Sequence, residues 1–255
     1  MPRLPAEYAT WMGAIKSREH FLQTYETDRV EYADTLGDIL EAIAPEKIFV
    51  LRGICSDSGS EFVPPSHPAL AKYAEITDSR RLYREMGLLR STKTKKEVEV
   101  MRYACKISSQ GHIHVMQNTR PGMMEYQLES LFRHYCYFHG GCRFFAYHCI
   151  CATGENSSIL HYGHAGEPHN RLLGPDDIAL FDMGAEYFCY GADITCSFPV
   201  SGKFNEKQRF VYETVLLANR AVLNAMKPGV NWVDLHLLAG LILFLCVSVL
   251  VRSIE

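Results

Sequence analysis

The sequence predicts an α/β (α+β) protein in two parts, and three observations carry that prediction. A helix-spaced apolar pattern runs into a short buried strand early in the chain, and a long amphipathic helix opens a second part near Arg90. That second part holds two copies of a helix-turn-helix pattern with apolar strands between them. At 255 residues and 47% apolar content, the chain is able to bury a core.

In the first part Val30, Ala33, Leu36, Ile39, Leu40 and Ile43 recur at helical spacing, and Pro45 ends the helix. Lys47-Ile48-Phe49-Val50-Leu51 follows as a buried strand closed by Gly53. The stretch from Cys55 to Pro68 is rich in Ser, Gly and Pro and reads as a long loop. The domain boundary is placed at residue 90. From Lys93 an amphipathic helix runs to about Thr119, with Val98, Met101, Cys105 and Ile107 or Ile113 near one face.

The internal similarity pairs Thr119-Arg120-Pro121-Gly122-Met123-Met124-Glu125-Tyr126-Gln127-Leu128 with Met226-Lys227-Pro228-Gly229-Val230-Asn231-Trp232-Val233-Asp234-Leu235, 107 residues later. A basic residue, Pro-Gly, an acid and a leucine recur, each time after one long helix and at the start of a second. A Pro-Gly turn between helices is common, so chance resemblance stands beside duplication of a half-domain. The strands between Phe144 and Val200 would form the sheet under both helix pairs.

A net charge of −3 without any long Lys/Arg run excludes a nucleic-acid surface. The nine cysteines include no CxxC pair, and the start Met1-Pro2-Arg3-Leu4-Pro5 lacks a signal-peptide apolar core. They are expected to be reduced, mostly buried thiols of a cytoplasmic protein. Cys149-Ile150-Cys151 reads as a metal or redox pair or as core packing; alternation puts both thiols on one strand face, which favours the core.

Ala179-Leu180-Phe181-Asp182-Met183-Gly184 and Tyr187-Phe188-Cys189-Tyr190-Gly191-Ala192-Asp193-Ile194-Thr195 place two aspartates eleven residues apart on two apolar strands. Burying an ionised Asp is costly unless it is hydrogen-bonded, paired or metal-bound, so this spacing across a predicted hairpin points to a divalent cation between them. Asp182 taken alone reads equally as a turn cap. Asp193, among small and apolar neighbours, is harder to place on a surface. Glu155 and Asn156 read as loop hydrogen-bonders. His112, His114, His134, His139 and His148 have no ligand spacing with an acid and read as ordinary core or surface residues.

Glu129-Ser130-Leu131-Phe132-Arg133-His134-Tyr135-Cys136-Tyr137, Gly154-Glu155-Asn156-Ser157, Leu160-His161-Tyr162-Gly163-His164-Ala165-Gly166 and Asp193-Ile194-Thr195-Cys196-Ser197-Phe198-Pro199, with Phe181-Asp182-Met183-Gly184, closely resemble the animal prolidase family of Xaa-Pro dipeptidases. The resemblance runs from Leu4 to about His236 and extends to the group of methionine aminopeptidase, aminopeptidase P and creatinase. It implies a partial creatinase-like amino-terminal domain over 1–90, the amino-terminal half of a pita-bread metallopeptidase domain over 91–236, and a divergent apolar tail over 237–255. It implies that Asp182 and Asp193 are the first two of five ligands for a pair of Mn2+ ions, the others being a histidine and two glutamates from later strands. His161 is implied to be catalytic and substrate-binding, His164 a second substrate contact, the substrate an Xaa-Pro dipeptide, and the assembly a homodimer. Paired metals share and activate a water and polarise the scissile carbonyl; a histidine beside them would hydrogen-bond the carbonyl or the oxyanion, a role worth about 2.7–4 kcal/mol in other enzymes.

The chain departs from that pattern at both ends, starting partway into the family's amino-terminal domain and leaving it after His236. The fifteen-residue apolar run from Leu237 to Val251 spans roughly 22 Å as a helix, short of a hydrocarbon core of about 30 Å. An alternative exon end or intron read-through is favoured over a membrane anchor. The expectation is an inactive fragment or isoform that carries half the metal site and is poorly soluble. A non-catalytic pita-bread binding protein and a tail-anchored membrane form are the alternatives.

Overall fold

The computed structural model describes residues 1–64, 66–163 and 168–252. The chain forms two compact units, Met1–Lys93 and Thr94–Glu255.

The first unit contains α1 (Tyr8–Met12), α2 (Arg18–Thr24), α3 (Leu36–Ile43), β1 (Ile48–Phe49), β2 (Gly53–Ile54), β3 (Glu61–Phe62), α4 (Pro68–Ala71), β4 (Thr77–Asp78) and α5 (Arg81–Ser91). β1 pairs in parallel with β4, and β2 with β3 forms a small hairpin. The predicted helix is shorter than its apolar pattern: α3 follows a single 3-10 turn at Ala33–Thr35, and Ala44, in the left-handed region at φ 45°, closes it one residue before Pro45. The strand is present, but Ile48 is only partly covered and Phe49 is exposed. Two-stranded ladders cannot cover both faces of a strand, and no described residue of this unit is buried. The expected loop from Cys55 to Pro68 is interrupted by β3, closed by hydrogen bonds from Cys55 N to Ser60 O and from Gly59 N to Cys55 O, both 2.9 Å.

The second unit contains α6 (Lys95–Asn118), α7 (Glu125–Gly140), β5 (Phe144–Phe145), β6 (Ile150–Thr153), β7 (Ile178–Asp182), β8 (Ala185–Tyr187), β9 (Tyr190–Gly191), β10 (Thr195–Pro199), α8 (Glu206–Ala225) and α9 (Trp232–Arg252). Antiparallel pairing gives two three-stranded sheets, ordered β10-β7-β6 and β5-β8-β9. A capping box starts α6: Thr94 Oγ1 accepts from Glu97 N, and the Glu97 carboxylate accepts from Thr94 N.

The buried face of α6 is Ala104, Ile107, Ser108, Gly111, His112 and Val115, whereas Cys105 and Ile113 are exposed. Counting apolar residues finds Ile107 and the partly buried Val98 and Met101 but misplaces Cys105 and Ile113, because much of the face is small or polar. A Cβ at Gly111 would lie 2.9 Å from the Phe132 ring, so the missing side chain lets α6 and α7 close over Phe132. That ring is fully buried and meets the rings of His112 and Phe145 at 5.2 and 6.1 Å. Cys149 and Cys151 lie in the same core. Burial pushes the Cys149 thiol up to about 12, so it stays protonated. All nine cysteines are free.

The two Pro-Gly segments have the same geometry. Gly122 and Gly229 have φ of 87° and 88°, the value required after Pro in a type II turn. Met123 N donates to Arg120 O at 3.3 Å and Val230 N to Lys227 O at 3.2 Å. Likewise Thr119 N donates to Val115 O at 2.9 Å and Met226 N to Val222 O at 3.0 Å. These pairs lie 107 residues apart, as in the sequence.

α9 runs without a break across residues 236 and 237 and packs against α8. Val211 and Val215 of α8 and Trp232, Leu237, Leu241 and Phe244 of α9 are exposed. Among the described residues no helix is long and apolar enough to cross a membrane.

The segment before β7 is tied down by Asp177, which accepts from the Arg171 guanidinium and from Gly174 N at 2.8 Å. Arg171 also donates to Thr153 Oγ1 at 3.0 Å.

Phe132→Ala is expected to lower unfolding free energy by roughly 3–5 kcal/mol, read by denaturant melts; a loss under about 1 kcal/mol would contradict the packing account. The hydrogen bonds from Arg171 and then Gly174 hold the Asp177 carboxyl below its ordinary pKa. Its stabilisation is therefore present above the unfolded value and is lost as pH falls through the lower folded value. Asp177→Asn should cost on the order of 1 kcal/mol at pH 7, with the gap to the parent chain closing below about pH 4.

Candidate metal centre

The two aspartates come together by a detour of the chain. β7 ends at Asp182, which stands between Ile150 of β6 and Thr195 of β10. The chain then leaves this sheet, adds β8 and β9 to the other one, and returns at Thr195. Phe188 and Cys189 turn the β8–β9 hairpin with φ of 46° and 66°, the left-handed pair that a two-residue type I′ turn requires. Asp193 sits on the returning arm, between β9 and β10.

The detour closes at its base through main-chain contacts. Met183 N donates to Ile194 O at 3.1 Å, Ala192 N to Ala185 O at 2.9 Å, and Ala146 N to Gly184 O at 3.0 Å. A Cβ on residue 184 would lie 1.7 Å from the Ala192 carbonyl oxygen. Only glycine permits that approach.

Tyr147, in the link between β5 and β6, places its hydroxyl between the two carboxylates. It donates to Asp182 Oδ1 and lies 3.4 Å from Asp193 Oδ1. One O–H proton serves one acceptor at a time, and the shorter contact marks Asp182 as that acceptor. Burial, followed by the Asp182 hydrogen bond, raises the phenol pKa well above its ordinary value, so the group remains a donor. Asp182 is half-buried and Asp193 is exposed. The expectation that Asp193 lies on a strand and is hard to place on a surface is thus corrected: it lies in the connecting arm, outside the strand, where water reaches it.

α6 holds the turn from beneath. Ser108 Oγ accepts from Ala185 N at 3.0 Å, and His112 Nε2 is 2.9 Å from Met183 O. A carbonyl only accepts, so His112 donates from Nε2. Burial holds the imidazole below its ordinary pKa, keeping it neutral, and leaves Nδ1 buried without a partner.

His161 lies in the turn after the 3-10 helix Gly154–Ser158 and is exposed. It forms no hydrogen bond or ion pair with either aspartate among the described residues. His164 lies outside the described residues. No group of three or more His, Cys, Asp or Glu that could hold a metal occurs among the described residues. Asn156 is a loop hydrogen-bonder as expected, donating to Glu125 Oε1 at 3.2 Å. Sequence reading missed Tyr147 and Ser108, single residues with no spacing to mark them, and read His112 only as an ordinary core or surface residue.

Gly184→Ala is expected to lower unfolding free energy by roughly 3 kcal/mol, the upper end for overpacked cores, because a backbone oxygen cannot rotate away. A thermal midpoint unchanged from the parent chain would show that the close approach is not required.

A profile of metallopeptidase family M24 matches residues 99–243. The chain is 51% identical over 239 residues to the Xaa-Pro dipeptidase of Homo sapiens and 48% identical over 239 residues to that of Rattus norvegicus. Each match covers 94% of this chain and 48% of the relative, so the chain spans about half the length of the curated relatives it matches. The solved structure of aminopeptidase PepP from Pseudomonas aeruginosa superposes with a TM-score of 0.78 at 26% identity, over 98% of this chain and 57% of that one. With the profile spanning more than half of its residues and the detour that joins Asp182 to Asp193 inside the matched region, this chain belongs to metallopeptidase family M24, a pita-bread family of metal-dependent peptidases.

Proposed function

We propose that Asp182 and Asp193 are ligands in a dinuclear manganese site for hydrolysis of Xaa-Pro dipeptides, and that this chain supplies two of the site's five ligands. The observation that carries the reading is the convergence of two carboxylates on one phenol hydroxyl. The identity to Xaa-Pro dipeptidases supports the substrate class. The donor set fits the metal: carboxylate oxygens suit hard divalent ions, and an exposed Asp193 beside a half-buried Asp182 leaves an approach from solvent.

When bound, the cations supply an activated water and polarise the scissile carbonyl. The chain's own residues do the positioning. Tyr147 holds the Asp182 carboxylate by donation, and Ser108 and His112 fix the turn that follows it. His161 presents an exposed imidazole on a turn, suited to hydrogen-bond a substrate carbonyl; the amide before proline has no N–H to offer, so recognition falls on that carbonyl and the dipeptide's termini. His164 is proposed as a second substrate contact. Two carboxylates bind a divalent ion less tightly than a full ligand set, so the chain by itself is proposed to lack turnover.

The purified chain, titrated with Mn2+ and followed by the EPR signal of the free ion, should bind weakly, and Asp182→Asn should weaken binding at least tenfold. Gly-Pro hydrolysis by the same sample should be undetectable. Unchanged affinity in Asp182→Asn removes that ligand from the proposal, and clear turnover overturns the claim of inactivity.

A further inference from the structure

Among the described residues no hydrogen bond or ion pair holds the His161 side chain, yet the residues on both sides of it are locked to α7. Glu125, the first residue of α7, is fully buried and accepts four hydrogen bonds. Thr153 N and Thr153 Oγ1 donate to its Oε1 at 2.8 Å each, and Asn156 Nδ2 at 3.2 Å. These three come from the segment entering the His161 turn. The fourth comes from beyond it: the Tyr162 hydroxyl donates to Glu125 Oε2 at 2.7 Å. One carboxyl group therefore spans the turn, with an oxygen for each arm.

The next turn of α7 braces the far arm independently. Glu129 Oε2 lies 3.2 Å from His169 Nδ1, and that hydrogen bond holds the Glu129 carboxyl below its ordinary pKa. The His169 ring meets the Tyr162 ring edge-on at 5.4 Å. Gly163, at φ 82°, is buried against the same imidazole, and a Cβ there would lie 2.0 Å from His169 Nε2. The returning segment is hydrogen-bonded to the start of α7, with Tyr126 N donating to His169 O at 2.9 Å and Glu125 N to Arg171 O at 3.2 Å.

Among the described residues the Tyr162 hydroxyl is the one donor to Glu125 Oε2, so the hydrogen bond that satisfies this buried carboxyl group also ties the far side of the His161 turn to α7. We propose that Glu125 is a positioning residue for His161: through the Tyr162 hydroxyl it fixes the backbone from which the exposed imidazole projects. This rests on the reading of His161 as the substrate-facing histidine. Glu125 itself touches no reacting atom.

The test uses the full chain with ring-labelled histidine. Tyr162→Phe removes one hydroxyl and keeps the ring against His169, so it leaves the fold intact; Glu125→Gln is the second variant. Expected in Tyr162→Phe are a displaced, broadened His161 ring resonance and about tenfold faster amide exchange at residues 161–163, with cooperative unfolding retained and a thermal midpoint lowered by only a few degrees, about 2–4 °C. Adding Tyr162→Phe to Glu125→Gln should produce no further change in the His161 signal. An unmoved resonance and unmoved exchange in Tyr162→Phe overturn the proposal, whatever Glu125→Gln does to stability. Gly-Pro with Mn2+ added to the parent chain separates the two claims. If Tyr162→Phe moves the His161 resonance and the dipeptide does not, positioning stands and the substrate reading falls. If the dipeptide moves it and Tyr162→Phe does not, the reverse holds.

Discussion

The geometry of the candidate site depends on one close approach, that of the Ala192 carbonyl oxygen to the Cα of Gly184. It brings together the two arms of the β8–β9 detour, and the arms carry Asp182 and Asp193. Eleven residues separate the aspartates in sequence, yet one phenol hydroxyl reaches both. Pushing the arms apart by a single methyl group would carry Asp193 out of reach of the hydroxyl that donates to Asp182. The cost of keeping them close is visible at the far end of the detour, where Phe188 and Cys189 occupy left-handed conformations that non-glycine residues rarely adopt.

Two helices of the second unit assign polar groups, buried except for the half-buried Glu129, to the two parts of the candidate site. α6 uses Ser108 and His112 to hold the main chain at Met183 and Ala185. α7 uses Glu125 and Glu129 to hold the turn that presents His161. Buried polar groups are costly unless satisfied, and most atoms of this set have partners. His112 Nδ1 and His169 Nε2 are the buried exceptions, each on a ring whose other nitrogen is engaged.

Much of this was legible in the sequence. The Pro-Gly repeat gave matching turns because proline presets one dihedral and glycine supplies the other. α6 was readable from its cap and its length. Its buried face was not, since Gly111, Ser108 and Ala104 carry no apolar signal and pack by being small. The aspartate pair was readable from spacing, but the route between them was misjudged: a single hairpin was expected and the chain crosses to a second sheet. Tyr147 sits in a link with neither period nor motif, and its role depends on a fold that brings residues 35 and 46 positions apart to one oxygen. The strand at Ile48 was expected to be buried because apolar runs usually are; in a two-stranded ladder no second layer covers it.

The central claim is that the space around the Tyr147 hydroxyl, between Asp182 and Asp193, is a metal position. Anomalous diffraction from manganese-soaked crystals measures it directly. The account predicts a peak within coordination distance of both carboxylates, and the same crystals of Asp182→Asn should lose it. A peak elsewhere on the chain, or a peak that survives Asp182→Asn at full height, would contradict the claim.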